Sequence, residues 1–354
     1  MLRLVDANLD RLGEGLRVLE DVSRFLLNDI PLSRRLKTLR HNVVRSLGPL
    51  ERELISARRV AEDVGAPLVG RTGAPAAGRA AAPHRDLPAL VQANSRRAQE
   101  SLRVLEELSR LSGGPLEGQA GRFEKARFEV YDLEQHLVGR LLRRDRAGRL
   151  NGLYLVLDAT ALGGRDEVEV AAAAVRGGAR TIQLRDKHGR KADVLAAARR
   201  LRALCTDQGV LFVVNDHIDV ALAVQADGIH LGQDDLPPAE ARRILPLDML
   251  IGCSTHSAAE AVRAQAGGAD YVALGSVYPT TSKETYRLVG LDTLRRTRSR
   301  VSVPLVAIGG INHGNVREVV RAGADAAAVI SAVLGLDDVE AAARKLAVKM
   351  KAKA

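Results

Sequence analysis

From residue 152 onward, short continuous apolar runs alternate with alanine-rich stretches of helical periodicity. The runs are GLYLVLD, TIQLRDK, LFVVND, GIHLGQ, MLIGCS, YVALGS, PLVAIGG and AAAVIS, eight in all. A strand that is apolar at nearly every position has both faces covered, as parallel strands flanked by helices do. Six such units would suggest an open doubly wound sheet, but eight close. The pattern therefore predicts an α/β fold over 149–354, a (β/α)8 TIM barrel.

Upstream the period is helical, which predicts an all-α N-terminal domain over 1–148. That domain contains a repeat: DANLDRLGEGLRVLEDVSRF (6–25) returns as QANSRRAQESLRVLEELSRL (92–111). Two copies are too few for a solenoid and suggest two pseudo-symmetric helical hairpins. On a helical wheel Leu12, Leu16, Leu19 and Val22 share one apolar face, as do their counterparts Ala98, Leu102, Leu105 and Leu108. Asn8 and Asn94 fall within that face and Arg11 and Arg97 border it, while Arg17, Glu20 and Arg24 lie on the opposite side. Inward polar groups need partners, so Asn8, Arg11, Asn94 and Arg97 form a candidate site at the pseudo-dyad. A structural polar network, or helix caps and solvated charges, is the alternative. Between the copies, GAPLVGRTGAPAAGRAAAPHRD reads as a long loop or lid.

Composition narrows the function. Hydrophobic residues make up 46% and charged residues 27%, a globular balance. The two cysteines, Cys205 and Cys253, have no metal-ligand spacing and read as small buried hydrophobes. Charges interrupt the N-terminus where a signal peptide needs an apolar core, and no run is long and apolar enough to span a bilayer. The expectation is a soluble, cytoplasmic protein with no membrane partner. A formal net charge of +10 could indicate nucleic acid, but aromatics are only 3% and tryptophan is absent. Anionic small substrates explain the charge instead.

Barrel chemistry sits at the C-terminal strand ends, and these ends are polar here. The second strand ends in Gln183, Arg185 and Lys187, which alternate so as to share one face, and Arg with Lys can grip a diphosphate. The third delivers Asn215 and Asp216, and the fourth leads to Asp235. Two carboxylates beside cations, with no thiolates, favour a Mg²⁺ site that keeps waters and takes substrate phosphate; capping of the following helices is the competing reading. Ser254 ends the fifth strand, and PTTSKET with Thr280, Ser282 and Lys283 follows the sixth. Gly309-Gly310 after the seventh and Ile330-Ser331 after the eighth match the usual barrel phosphate site. His217, His230 and His256 lie near strand ends, but none pairs with a nucleophile, so structural roles are expected.

The motifs QLRDK, VVNDHIDVALAVQADGIHLGQDD, GCSTHS, GSVYPTTSK, AIGGI and VISA, in that order, resemble the thiamine-phosphate synthase family over residues 152 to about 335. The resemblance implies that a hydroxymethylpyrimidine diphosphate and a thiazole phosphate are joined to give thiamine phosphate and pyrophosphate. It implies that Gln183, Arg185, Lys187, Asn215, Ser254 and Lys283 hold the pyrimidine diphosphate, with Arg185, Lys187 and Lys283 acting on the leaving group. Asp216 and Asp235 would bind Mg²⁺, and Thr280, Ser282, Gly310, Ile330 and Ser331 the thiazole phosphate. Within the fold the alternative is a thiazole tautomerase, against which the complete QLRDK, both aspartates and Lys283 argue. The two repeat lines resemble the helical domain fused ahead of this synthase in some bacteria and regarded as a hydroxymethylpyrimidine-phosphate kinase. That likeness implies ATP as a substrate of the N-terminal half. A dimerisation or scaffolding module, making the chain a homo-oligomer, is the other role considered.

Overall fold

The computed structural model describes residues 1–45, 48–58, 84–280 and 287–351. Most of the Gly-, Pro- and Ala-rich stretch expected to be a loop or lid lies outside the described residues, as do Ser282 and Lys283.

The chain divides into two compact units, Met1–Leu142 and Arg143–Ala354. The first is helical: α1 (Leu2–Asp21), α2 (Ile30–Arg45), α3 (Glu51–Ala57), α4 (Leu87–Leu108) and α5 (Ala120–Ala147). The repeat helices α1 and α4 pack on each other through the apolar faces expected of them, with Leu12, Leu16, Leu19, Ala98, Leu102 and Leu105 all fully buried. Gly15 permits the close approach, because a Cβ there would stand 2.9 Å from the Asn94 carbonyl oxygen. The N-cap of α4 is Asp86, whose side chain accepts from the Ala89 amide at 2.8 Å.

The second unit is a closed barrel of eight parallel strands, each paired with its sequence neighbours and β8 with β1. The strands are β1 (Gly152–Asp158), β2 (Ala179–Arg185), β3 (Leu211–Asn215), β4 (Gly228–Leu231), β5 (Leu250–Thr255), β6 (Tyr271–Leu274), β7 (Leu305–Ile308) and β8 (Ala326–Val329). Every run singled out by hydropathy supplies one strand. Side chains on one set of strand positions pack outward under the helices, and Tyr154, Val156, Leu250, Tyr271, Val306 and Ala328 fill the interior.

The division between units falls inside α5 and not at its end, where the sequence places it near residue 148. Arg143 accounts for this: it is buried, with its Nε donating to Asp270 Oδ1 at 2.8 Å and its Nη1 to the Leu247 carbonyl at 2.5 Å. Asp270 belongs to a series. Asp227, Asp270 and Asp325 stand just before β4, β6 and β8, and each accepts from a backbone N–H of the preceding strand. Each also pairs with an arginine from an outer helix, respectively Arg202, Arg242 and Arg298. These contacts tie the strand starts together, leaving the opposite strand ends to carry chemistry.

Candidate active site

Of the polar residues expected at the mouth, the described ones lie at or just beyond the C-terminal strand ends. Gln183 is buried on β2 and Arg185 ends that strand half-buried, paired with Asp158 at the end of β1. Asp158 also accepts from the Thr160 and Ala161 amides, so it fixes the guanidinium from a rigid position. Lys187 does not share the strand face expected of it, because β2 ends at Arg185 and a bend follows. The bend brings its Nζ to 3.4 Å from Asp216 Oδ2.

Asn215 is buried at the end of β3, and Asp216 follows it with φ of 60°. For a non-glycine residue that conformation is uncommon and marks a chain held in place. Its amide donates to the His230 carbonyl at 2.9 Å. Asp235 returns to the same point through a loop after β4, with its Oδ2 accepting from the Gly232 amide at 2.6 Å. The Asp216 carboxyl is raised above the usual carboxylate range, first by burial and then by the neighbouring Asp235 carboxylate, with Lys187 opposing. Neither aspartate caps a helix: the helix Ile218–Ala223 begins after His217, and Pro238–Ile244 begins after Pro237. Two adjoining carboxylates that repel each other fit a hard cation. Among the described residues no group of three or more His, Cys, Asp or Glu gathers as a cation cage. A pair of carboxylates suits Mg²⁺, which completes its shell with water and phosphate oxygens.

Ser254, at the end of β5, is held by a chain that sequence reasoning did not anticipate. Its hydroxyl lies 3.0 Å from His230 Nε2, whose Nδ1 is 3.0 Å from the Tyr271 hydroxyl, itself 3.1 Å from the Tyr154 hydroxyl. All three supporting side chains are buried, and burial pushes both phenols upward, keeping them neutral donors. The expectation that no mouth histidine pairs with a serine is corrected here: His230 reaches the Ser254 hydroxyl and positions it. The available signal was strand parity, which turns His230 inward on β4. Asp158, the polar end of an otherwise apolar first strand, was legible in the same way.

Thr280, Gly310, Ile330 and Ser331 line one cavity together with Ser254. A second, more open hollow shares Thr280, Gly310 and Ser331 with it. Gly309 and Gly310 have φ of 100° and 63°, and a Cβ on Gly310 would fall 2.3 Å from the Pro279 carbonyl oxygen. The backbone there can turn tightly only without side chains.

In the helical unit no hydrogen bond among the described residues joins Asn8 and Arg11 of the first copy to Asn94 and Arg97 of the second. Asn8 and Asn94 are buried, but each Nδ2 donates to a carbonyl of its own helix, Leu4 at 2.8 Å and Leu90 at 2.9 Å. Arg11 and Arg97 are exposed, the latter reaching Asn94 Oδ1 at 3.4 Å. The back-bonding gives each amide nitrogen an acceptor within its own helix. Glu20 and its counterpart Glu106, on the side opposite the apolar face, are buried in a structural polar network, each accepting from an arginine of its hairpin's second helix.

Fold and mouth together define a (β/α)8-barrel protein whose polar groups converge where barrel enzymes work. The thiamine monophosphate synthase family pattern matches residues 153–333, and the ThiD2 family pattern matches residues 3–136. A thiamine-phosphate synthase of Thermosynechococcus vestitus is 42% identical over 97% of this chain and 93% of its own length. One from Methanoculleus marisnigri is 54% identical over 55% of this chain and 92% of its own length. The solved thiamine phosphate pyrophosphorylase of Pyrococcus furiosus superposes with a TM-score of 0.54 at 41% identity, covering 58% of this chain and 98% of that one. This chain belongs to the thiamine monophosphate synthase family and is a transferase, with a ThiD2-family segment ahead of its barrel.

Proposed function

We propose that the barrel, as a thiamine-phosphate synthase, joins hydroxymethylpyrimidine diphosphate to thiazole phosphate at this mouth. The observation that carries the assignment of sides is the shared cavity, which connects Ser254 with Thr280, Gly310, Ile330 and Ser331. The pyrimidine lies toward Gln183, Asn215 and Ser254, with its diphosphate against Arg185 and Lys187. The thiazole phosphate lies against the Gly310 turn and the backbone at Ile330-Ser331, with Thr280 beside it. Ser282 and Lys283, outside the described residues, complete the two sides in this reading.

Mg²⁺ held by Asp216 and Asp235 would neutralise the charge that develops on the diphosphate. Arg185 and Lys187 hold that diphosphate as the bond from the methylene carbon to oxygen breaks and pyrophosphate departs with the electron pair. Ser254, fixed through His230, orients the ring so that the thiazole nitrogen's lone pair forms the new C–N bond. No proton has to be removed for that bond to form, so the His230–Ser254 hydrogen bond is read as positioning the serine and not as activating it. Gly310→Ala is expected to raise KM for thiazole phosphate by about tenfold, since a left-handed non-glycine residue costs roughly 1–2 kcal/mol and its Cβ must displace Pro279. Steady-state kinetics with each substrate varied checks it, with KM for the pyrimidine diphosphate unchanged.

The helical unit, by the same proposal, phosphorylates hydroxymethylpyrimidine monophosphate from ATP, supplying the barrel's substrate. The ThiD2-family match supports this reading. Both steps take small phosphorylated molecules and neither takes nucleic acid, and the proposed setting is the cytoplasm. No described helix is long and apolar enough to cross a membrane. The test supplies full-length protein with Mg²⁺, ATP, thiazole phosphate and the pyrimidine monophosphate. Thiamine phosphate formed there, as well as from preformed diphosphate, is the expected result; product only from preformed diphosphate would make the helical unit a dimerisation or scaffolding module.

A further inference from the structure

The internal repeat places a buried glutamate at equivalent positions of its two copies, and each takes an arginine from the second helix of its hairpin. Arg40 Nε donates to Glu20 Oε2 at 3.0 Å, and Arg127 Nε to Glu106 Oε2 at 3.1 Å. One turn further on the copies diverge. In the second, Arg110 closes over the pair, donating to Glu106 at 2.6 Å and to Glu107 at 2.7 Å. Its counterpart Arg24 lies in a π-helical turn, Val22–Leu26, whereas α4 simply ends at Leu108. A π turn takes in an extra residue and rotates the chain beyond it, and such turns concentrate at functional sites. Arg24 is not paired with Glu20 and instead lies 4.7 Å over the ring of Phe25.

That divergence opens a cleft of about 570 Å³ lined by Glu20, Arg24, Asn28, Ser33, Arg34 and Lys37. Its one carboxylate, Glu20, is already neutralised by Arg40. Arg24, Arg34 and Lys37 form no ion pair with any described residue, although Arg35, Arg40, Arg103, Arg110 and Arg127 of the same unit all do. Three cations converging on a concave surface repel one another unless an anion joins them. Guanidinium, ammonium, hydroxyl and amide groups together match the oxygens of a phosphate group.

We infer that this cleft is the phosphate-binding site of the helical unit. The ligand's identity rests on the kinase reading above: the phosphate belongs either to a nucleoside triphosphate or to the pyrimidine monophosphate.

The test is calorimetric titration of the full chain with each of those two ligands, the barrel mouth being saturated with thiamine phosphate. The wild type is expected to bind at least one, and the Arg24→Gln/Lys37→Gln double variant to bind it about tenfold more weakly or worse. The ligand whose affinity falls identifies the source of the phosphate. Condensation from preformed diphosphate should stay at the wild-type rate, showing that the chain is folded, and Arg110→Gln in the second copy should leave the ligand affinity unchanged. Wild-type affinity in the double variant, or no binding of either ligand by the wild type, overturns the inference. Binding that depends on Arg24 and Lys37 without formation of ADP keeps the site and overturns the kinase reading.

Discussion

Replacing Asp216 or Asp235 with Ala is expected to lower Mg²⁺-dependent formation of thiamine phosphate by about a thousandfold, with the barrel still folded. Among the described residues no third His, Cys, Asp or Glu groups with this pair, so no described donor takes the place of the one removed. The stability effect has the opposite sign. Burial and the Asp235 carboxylate raise the Asp216 carboxyl, so its ionised form is disfavoured in the metal-free fold. The resulting penalty is absent below the ordinary carboxylate range and grows as pH rises through the raised value. Asp216→Asn should therefore raise the melting temperature of the metal-free protein near neutral pH, and the gain should vanish in acid. Mg²⁺ should stabilise the wild type and leave that variant's melting temperature unchanged. Retained turnover in both Ala variants, or equal Mg²⁺ stabilisation of wild type and Asp216→Asn, would remove the metal from this position.

Asp270→Ala should have the largest effect on folding. The side chain is buried and accepts from the Ile251 amide, Arg143 and Arg242, and Arg143 is buried with it. Removing the carboxylate strands two guanidinium groups and a strand N–H, and breaking a buried pair in this way costs about 3–5 kcal/mol. In a unit of this size that corresponds to a fall of roughly 10 °C in the barrel's melting temperature. Asp325→Ala makes an internal control, because its side chain is 44% exposed and its loss should be much smaller. Thermal unfolding followed by circular dichroism separates the two; equal melting temperatures for Asp270→Ala and wild type would contradict the account of the strand starts.

The barrel was legible because a parallel strand covered on both faces must be apolar throughout, and eight such runs leave little choice of topology. The mouth was legible where a polar residue ended an apolar run, as at Asn215 and Asp216. What escaped depends on partners distant in sequence. Lys187 was placed by strand parity, but the strand stops two residues earlier and a bend aims the ammonium at Asp216. Glu20 and Glu106 look solvated on the wheel of one helix, and only the second helix of each hairpin buries them. Asn8 and Asn94 show the converse: they are inward as expected, but each amide nitrogen bonds a carbonyl of its own helix and not its counterpart in the other copy. The π turn after α1 has no composition signature of its own, which is why the cleft beside it could not be read from the repeat.

The most direct measurement gives the full chain preformed hydroxymethylpyrimidine diphosphate, thiazole phosphate and Mg²⁺ and follows thiamine phosphate and pyrophosphate together. The account predicts equal amounts of the two products, lost when EDTA removes the metal. No thiamine phosphate at saturating substrate, or conversion of the thiazole to an isomer without release of pyrophosphate, would contradict it.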